Sequence, residues 1–129
     1  MKDIFLYGLF MDEGVLRAKG IEPRMPRKAV VRDYQLRIGQ RAMLYRQPAS
    51  QAFGMVYALT DGEVDSLYND SGLEMYQPES VVATFEDGSS SEVTTFNLPS
   101  GTETGEPNLE YFAKLRLVLE RLGFPAPTI

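Results

Sequence analysis

The apolar positions of this chain change rhythm several times, and each change marks an element. Ile4-Phe5-Leu6-Tyr7 is a continuous apolar run stopped by Gly8, the pattern of a short buried strand. Asp12 and Glu13 then suit the first turn of a short helix, where the helix dipole favours negative charge, and Gly20 is placed to stop it. Pro23 and Pro26 predict a loop over Ile21 to Arg27. Lys28 to Gly39 reads as one or two strands with Val31, Leu36 and Ile38 inward, and Asp33-Tyr34 marks a bulge. Arg41 to Tyr45 predicts a further short strand, Arg46 to Gln51 a loop around Pro48, and Phe53 to Leu59 the clearest strand. Gly54 inside that strand points to a bulge or a close backbone approach.

The second half has longer periods. Thr60 or Asp61 caps a helix whose Val64, Leu67 and Tyr68 fall at i, i+3 and i+4, one face. Ser80 to Leu98 is a hairpin turning at Asp87-Gly88. Pro99 to Pro107 is a polar loop. Asn108 caps a last helix that aligns Leu109, Phe112, Leu115, Leu119 and Leu122, and Gly123 ends it. The order is β-α-β-β-β-α-β-β-α, which predicts a single α+β domain over residues 1–129 with a mixed, curled sheet.

Composition narrows the chemistry. The 129 residues contain no cysteine and no histidine, which removes cysteine nucleophiles, thiolate or imidazole metal sites, Ser-His triads and disulfides together. The apolar N-terminal run is too short for a signal peptide or a membrane span, so a cytoplasmic location with no membrane partner is the expectation. Nine of the thirteen Lys and Arg residues fall between Arg17 and Arg46, while Gln47 to Ala113 holds twelve acidic residues and no basic one. Complementary halves of one surface explain this asymmetry. A basic adaptor face over Arg24 to Arg46 is the rival reading, but a net charge of -5 argues against nucleic acid as the partner.

Two stretches carry candidate chemistry. At Tyr7-Gly8-Leu9-Phe10 a strand breaks at glycine and turns into a helix, so several N–H groups are available to an anion such as a carboxylate. Leu67 to Glu79 places Asp70 and Glu74 in a turn beside Tyr68, Leu73, Met75 and Tyr76. A carboxylate partly surrounded by apolar groups has a raised pKa and can move a proton near neutral pH.

Together these stretches resemble the γ-glutamylcyclotransferase-like (AIG2-like) family. Tyr7-Gly8-Leu9-Phe10 resembles its Tyr-Gly-Ser/Thr-Leu loop, Arg32 to Arg37 its second strand, and Phe53 to Tyr57 its Gly-x-Val-Tyr strand. Leu67 to Val82 resembles its Leu-Asp-x-x-Glu-Gly…Tyr-x-x-x-x-Val block, and Pro107 to Phe112 its Pro-x-x-x-Tyr helix start. The resemblance runs in order over nearly the whole chain. It implies a small barrel with flanking helices and closure of a γ-glutamyl α-amine onto its own γ-carbonyl, releasing 5-oxoproline and an amine or amino acid. Tyr7, Gly8, Leu9 and Phe10 would bind the substrate, with backbone N–H groups of the loop on its carboxylate, and Tyr76 and Tyr111 would line the pocket. No metal or cofactor is implied. The partner is a small γ-glutamyl compound, and Tyr and Phe residues near the C-terminus leave a homodimer open.

The chain departs from the pattern at two places. Leu9 replaces the hydroxyl residue of the loop. Counting four on from Leu67, the position of the family's acid/base glutamate falls on Ser71; counting back six from Tyr76, it falls on Asp70. Asp70 is the favoured acid/base and Glu74 the second. Aspartate is shorter than glutamate, and a displacement of about 1 Å can cost on the order of a hundredfold in rate. A non-catalytic small-molecule-binding protein of the same fold is therefore the alternative reading.

Overall fold

In the computed structural model, which describes residues 1–39, 42–68, 75–99, 106 and 108–125, the sheet closes on its shortest strand. That strand is β1 (Lys2–Leu6), and a 3-10 turn (Gly8–Met11) and α1 (Glu13–Ala18) follow it. β2 (Arg24–Ile38) and β3 (Ala42–Leu59) form a long hairpin. Next come α2 (Asp61–Tyr68), β4 (Gln77–Phe85), β5 (Ser90–Asn97) and α3 (Leu109–Leu122). The strand order is β1-β3-β2-β4-β5, and β1 and β5 close the barrel by pairing in parallel at Ile4–Thr94 and Phe5–Thr95. The Thr95 hydroxyl reinforces this short seam by donating to the Phe5 carbonyl at 2.8 Å.

Strand alternation sorts the side chains into two cores. Phe5, Val31, Leu44, Val56, Val81, Ala83 and Val93 fill the barrel. Ile4, Leu6, Met55, Tyr57 and Leu59 point out from the same sheet and are buried under Leu16, Leu67, Leu115 and Leu119 of the helices. β1 and the end of β3 are thus covered on both faces, which is why they read as unbroken apolar runs. Gly54 sits where β3 crosses β1. A Cβ there would lie 2.5 Å from the Leu6 carbonyl oxygen and 2.6 Å from the Phe5 ring, so the glycine marks a close backbone approach.

The helix signals hold with one shift. Thr60 and Glu63 form a reciprocal cap on α2: the Thr60 hydroxyl accepts the Glu63 N–H at 3.1 Å, and the Glu63 carboxylate accepts the Thr60 N–H at 2.9 Å. Asn108 accepts the Tyr111 N–H at 3.1 Å to start α3, and Phe124 N–H returns to the Leu119 carbonyl to end it. The buried face of α3 is Leu115, Val118 and Leu119, with Phe112 and Leu122 at its edge. Leu109 is 70% exposed, because the first turn of α3 presents Tyr111 and Phe112, not Leu109, to the barrel.

Two expected loops are irregular strand. β2 already begins at Arg24, inside the Ile21 to Arg27 stretch, and its pairing skips between Arg24 and Arg27, around a proline that has no N–H for the ladder. β3 runs straight through Arg46 to Gln51, but its register jumps. Arg32 faces Gln51 and Tyr34 faces Arg46, so residues 47–50 lie opposite Asp33 alone. Asp33 and Ala49 both have positive φ, 66° and 68°, and the Asp33 carboxylate accepts the Ala49 N–H at 3.2 Å. The bulge expected at Asp33-Tyr34 is this bend. Residues of the basic stretch form ion pairs with acidic ones elsewhere in the chain: Arg24 with Glu63 at 2.7 Å, and Arg27 with Asp3 at 2.9 Å.

Candidate functional site

The bend in the β2–β3 hairpin folds its outer arm across one end of the barrel, and side chains pin it there. Asn97, on the inward face of β5 after Val93 and Thr95, accepts the Leu44 N–H and donates to the Leu44 carbonyl, both at 2.9 Å. The Tyr76 hydroxyl donates to the Ala42 carbonyl. The Asn108 N–H donates to the Gly39 carbonyl at 2.9 Å. β1 ends beneath this arm.

At that point the chain reaches the Tyr7–Phe10 stretch. Tyr7 sends its ring into the barrel, and its hydroxyl lies 2.7 Å from the Phe96 carbonyl and 3.3 Å from the Asn97 side-chain oxygen. Gly8 has φ +67° and turns the chain out; a Cβ there would lie 2.4 Å from the Tyr111 hydroxyl. In the 3-10 turn that follows, each N–H bonds three residues back, so the donors left to aim outward are those of its first residues. The Leu9 N–H donates to the Tyr111 hydroxyl at 3.1 Å. Leu9 and Phe10 are half-buried and their side chains pack toward the helices.

Four tyrosines from four parts of the chain therefore gather here: Tyr7 after β1, Tyr68 at the end of α2, Tyr76 before β4 and Tyr111 in the first turn of α3. Tyr68 stacks on Phe96 at 4.4 Å between ring centroids, meets the Phe10 ring edge-on at 5.9 Å, and lies 5.8 Å from Tyr76. Burial, then the neighbouring Tyr76, Tyr68 and Tyr111, then Glu79, push the Tyr7 hydroxyl well above its ordinary pKa. Burial first, then Tyr76 and Tyr111, raise Tyr68. Burial raises Tyr111 as well, partly offset by the Leu9 N–H. All three keep their protons at neutral pH and act as hydrogen-bonding groups, not anions.

The structure thus brings Tyr7, Gly8, Leu9, Phe10, Tyr76 and Tyr111 to one end of the barrel. Asp70 and Glu74, with Ser71, lie outside the described residues. Sequence reasoning missed Asn97 and placed Tyr68 only as a core and shell residue. The signal for Asn97 was present: in Val93-Thr94-Thr95-Phe96-Asn97 the inward alternation puts two polar side chains in an apolar barrel, and such groups must find partners. No cluster of metal-ligating side chains occurs among the described residues, and none of their helices is long and apolar enough to cross a membrane.

No protein-family model and no curated protein matches this sequence. Solved structures do match its fold. A gamma-glutamyl cyclotransferase aligns with a TM-score of 0.79 at 16% identity, over 96% of this chain and 81% of its own. An uncharacterized protein from Homo sapiens, loc79017, aligns with a TM-score of 0.77 at 16% identity over the same shares. An AIG2-like protein from Mus musculus aligns with a TM-score of 0.60 at 15% identity, over 80% of each chain. The closed five-stranded barrel with helices on its flank is, in this chain, the gamma-glutamyl cyclotransferase fold.

Proposed function

We propose that this chain binds a γ-glutamyl amine or amino acid at the Tyr7–Leu9 turn and cyclises it to 5-oxoproline, acting as a cytoplasmic γ-glutamylcyclotransferase. The observation that carries the reading is the glycine turn at Gly8, φ +67°, at the end of β1, in a chain that shares its fold with a gamma-glutamyl cyclotransferase over 96% of its length.

The chemistry is intramolecular. The substrate's α-nitrogen loses a proton to a carboxylate and attacks the γ-carbonyl carbon, forming the lactam C–N bond. The amide C–N bond breaks, and the proton passes to the leaving amine. Folding the substrate so that nitrogen and carbonyl meet is the main task, and neutral hydrogen-bond donors steady the oxygen as charge develops on it. Asp70 is the proposed acid/base, with Glu74 second. A binding protein of the same fold is the second reading, and one observation favours it: the Leu9 N–H, a donor the reaction would use, already has an acceptor.

Incubating the full chain with a panel of γ-glutamyl amino acids and amines and assaying 5-oxoproline tests the proposal. Turnover that falls on the order of a hundredfold or more in Asp70→Asn supports it. Thermal stabilisation by these compounds without product supports the binding protein. Neither turnover nor stabilisation sinks both.

A further inference from the structure

Away from the barrel end, β4, β2 and β3 carry a cavity of about 290 Å³ on their outer surface. The register puts Phe53, Val30 and Thr84 side by side across these three strands, while Ala29 and Val31 point the other way, into the barrel. One pleat further along, Arg32 faces Gln51; one pleat back, Lys28 faces Met55. α3 stops short of this surface. Gly123 takes φ +80° and ends the helix, and Phe124 then packs on Phe53 with ring centroids 5.5 Å apart. The Lys28 ammonium stands 5.8 Å from the centre of the Phe124 ring, which steadies that ring as a wall of the cavity. Val30 is the floor, Phe53 and Phe124 are walls, and Lys28, Arg32 and Glu86 stand on the rim.

Three features set what the cavity can hold. Its walls are rings, which pack well on another ring. Its rim sets two cations against one carboxylate, in a chain of net charge -5. Two other cations of β2 are joined to carboxylates, Arg24 to Glu63 at 2.7 Å and Arg27 to Asp3 at 2.9 Å, whereas Arg32 is exposed on the rim across from Gln51. A guanidinium takes a carboxylate through two parallel N–H groups. The third feature is size: the volume lies at the small end of the range for ligand pockets, about 300–1,000 Å³, which suits a compound of one ring.

We propose that this cavity is a second binding site, for a small aromatic carboxylate whose ring lies on Val30 against Phe53 and Phe124 and whose carboxylate meets Arg32. It is separate from the Tyr7–Leu9 turn. α3 brings Tyr111 to that turn at its start and Phe124 to this cavity just past its end, about 20 Å away along the helix axis. The second site therefore stands or falls independently of the proposed function.

The test is an NMR titration of the full chain with benzoate. Benzoate is expected to shift the amides of Val30, Phe53 and Phe124 and to leave that of Leu9 in place. Benzamide, the same ring without the charge, is expected to bind about tenfold or more weakly. Arg32→Gln, at an exposed position, is expected to keep the parent's melting temperature and to bring benzoate down to the affinity of benzamide. Cyclohexanecarboxylate, with the charge but no flat ring, is expected to bind more weakly than benzoate. No shift at the three amides, shifts that survive unchanged in Arg32→Gln, or equal binding of benzoate and benzamide overturns the site. Shifts at Leu9 in place of Val30 would mean that the acid enters the barrel end, and overturn it too. Cyclohexanecarboxylate binding as tightly as benzoate overturns the aromatic preference. None of these outcomes bears on the cyclotransferase reading, which is decided by 5-oxoproline formation.

Discussion

The side-chain amide of Asn97 bonds both backbone groups of Leu44, in the place a neighbouring strand would occupy. β1 has ended by this level, and among the described residues no strand pairing joins β5 to the arm of β3. The same Asn97 oxygen also accepts the Leu98 N–H at 3.0 Å and lies 3.3 Å from the Tyr7 hydroxyl. Asn97→Leu keeps the volume but leaves the Leu44 N–H and carbonyl unpaired in a buried place. Each unpaired buried group costs roughly 1–3 kcal/mol. We expect a loss of about 3 kcal/mol in urea unfolding, with faster hydrogen exchange at the Leu44 amide. Unchanged exchange there would show that the arm is held by its other two contacts alone.

Much of the molecule was legible because its signals are local. Gly8 after an apolar strand, Asn108 before an apolar stripe and Thr60 three residues before Glu63 each act within one turn of chain. The arm was not legible. Its bend depends on Asp33 and Ala49, sixteen residues apart, adopting positive φ together and bonding across the hairpin. Neither residue type announces that backbone, and Pro48 reads locally as a loop.

Glu63 predicts how the protein responds to acid. Burial alone would raise its carboxyl, but the N–H groups of Thr60 and Glu22, the Arg24 guanidinium and the Thr60 hydroxyl hold it down, at about 2 against an ordinary 4.5. A carboxyl with a lowered pKa in the folded state stabilises the fold above its unfolded value and stops doing so as pH falls through its folded one. The contribution is complete above about pH 4.5 and is lost between there and about pH 2. Glu63→Gln should cost about 1–2 kcal/mol at pH 7 and flatten the melting temperature over that acid window. A variant with the parent's slope would locate acid sensitivity elsewhere.

Gly54→Ala tests the crossing of β1 and β3. The added methyl would meet the Leu6 carbonyl oxygen at 2.5 Å and the Phe5 ring at 2.6–2.7 Å, and both neighbours are fixed by core packing. Strands must move apart to admit it, which opens the barrel at its closing strand. The expected cost is about 3 kcal/mol or more, read as a lower urea midpoint or as insoluble protein. Val56→Ala, a buried neighbour on the same strand, supplies the comparison; it removes packing without forcing the strands apart and should cost less, about 1–3 kcal/mol.

Gly8→Ala separates the turn from the barrel. Its φ of +67° strains any residue with a Cβ by roughly 1–2 kcal/mol. The methyl would also stand 2.4 Å from the Tyr111 hydroxyl, at the end of a ring that can tilt, and 3.4 Å from the Ala42 Cβ. The ring has room to give where β1 and β3 at Gly54 do not, so the protein is expected to fold with a loss of about 2 kcal/mol. Its hydroxyl would move off the Leu9 N–H. Ligand binding should then fall as far as it does in Tyr111→Phe, and combining the two substitutions should add little further, because both remove the same hydrogen bond. Additive losses in binding would mean that Gly8 serves the ligand through its own backbone, independently of Tyr111.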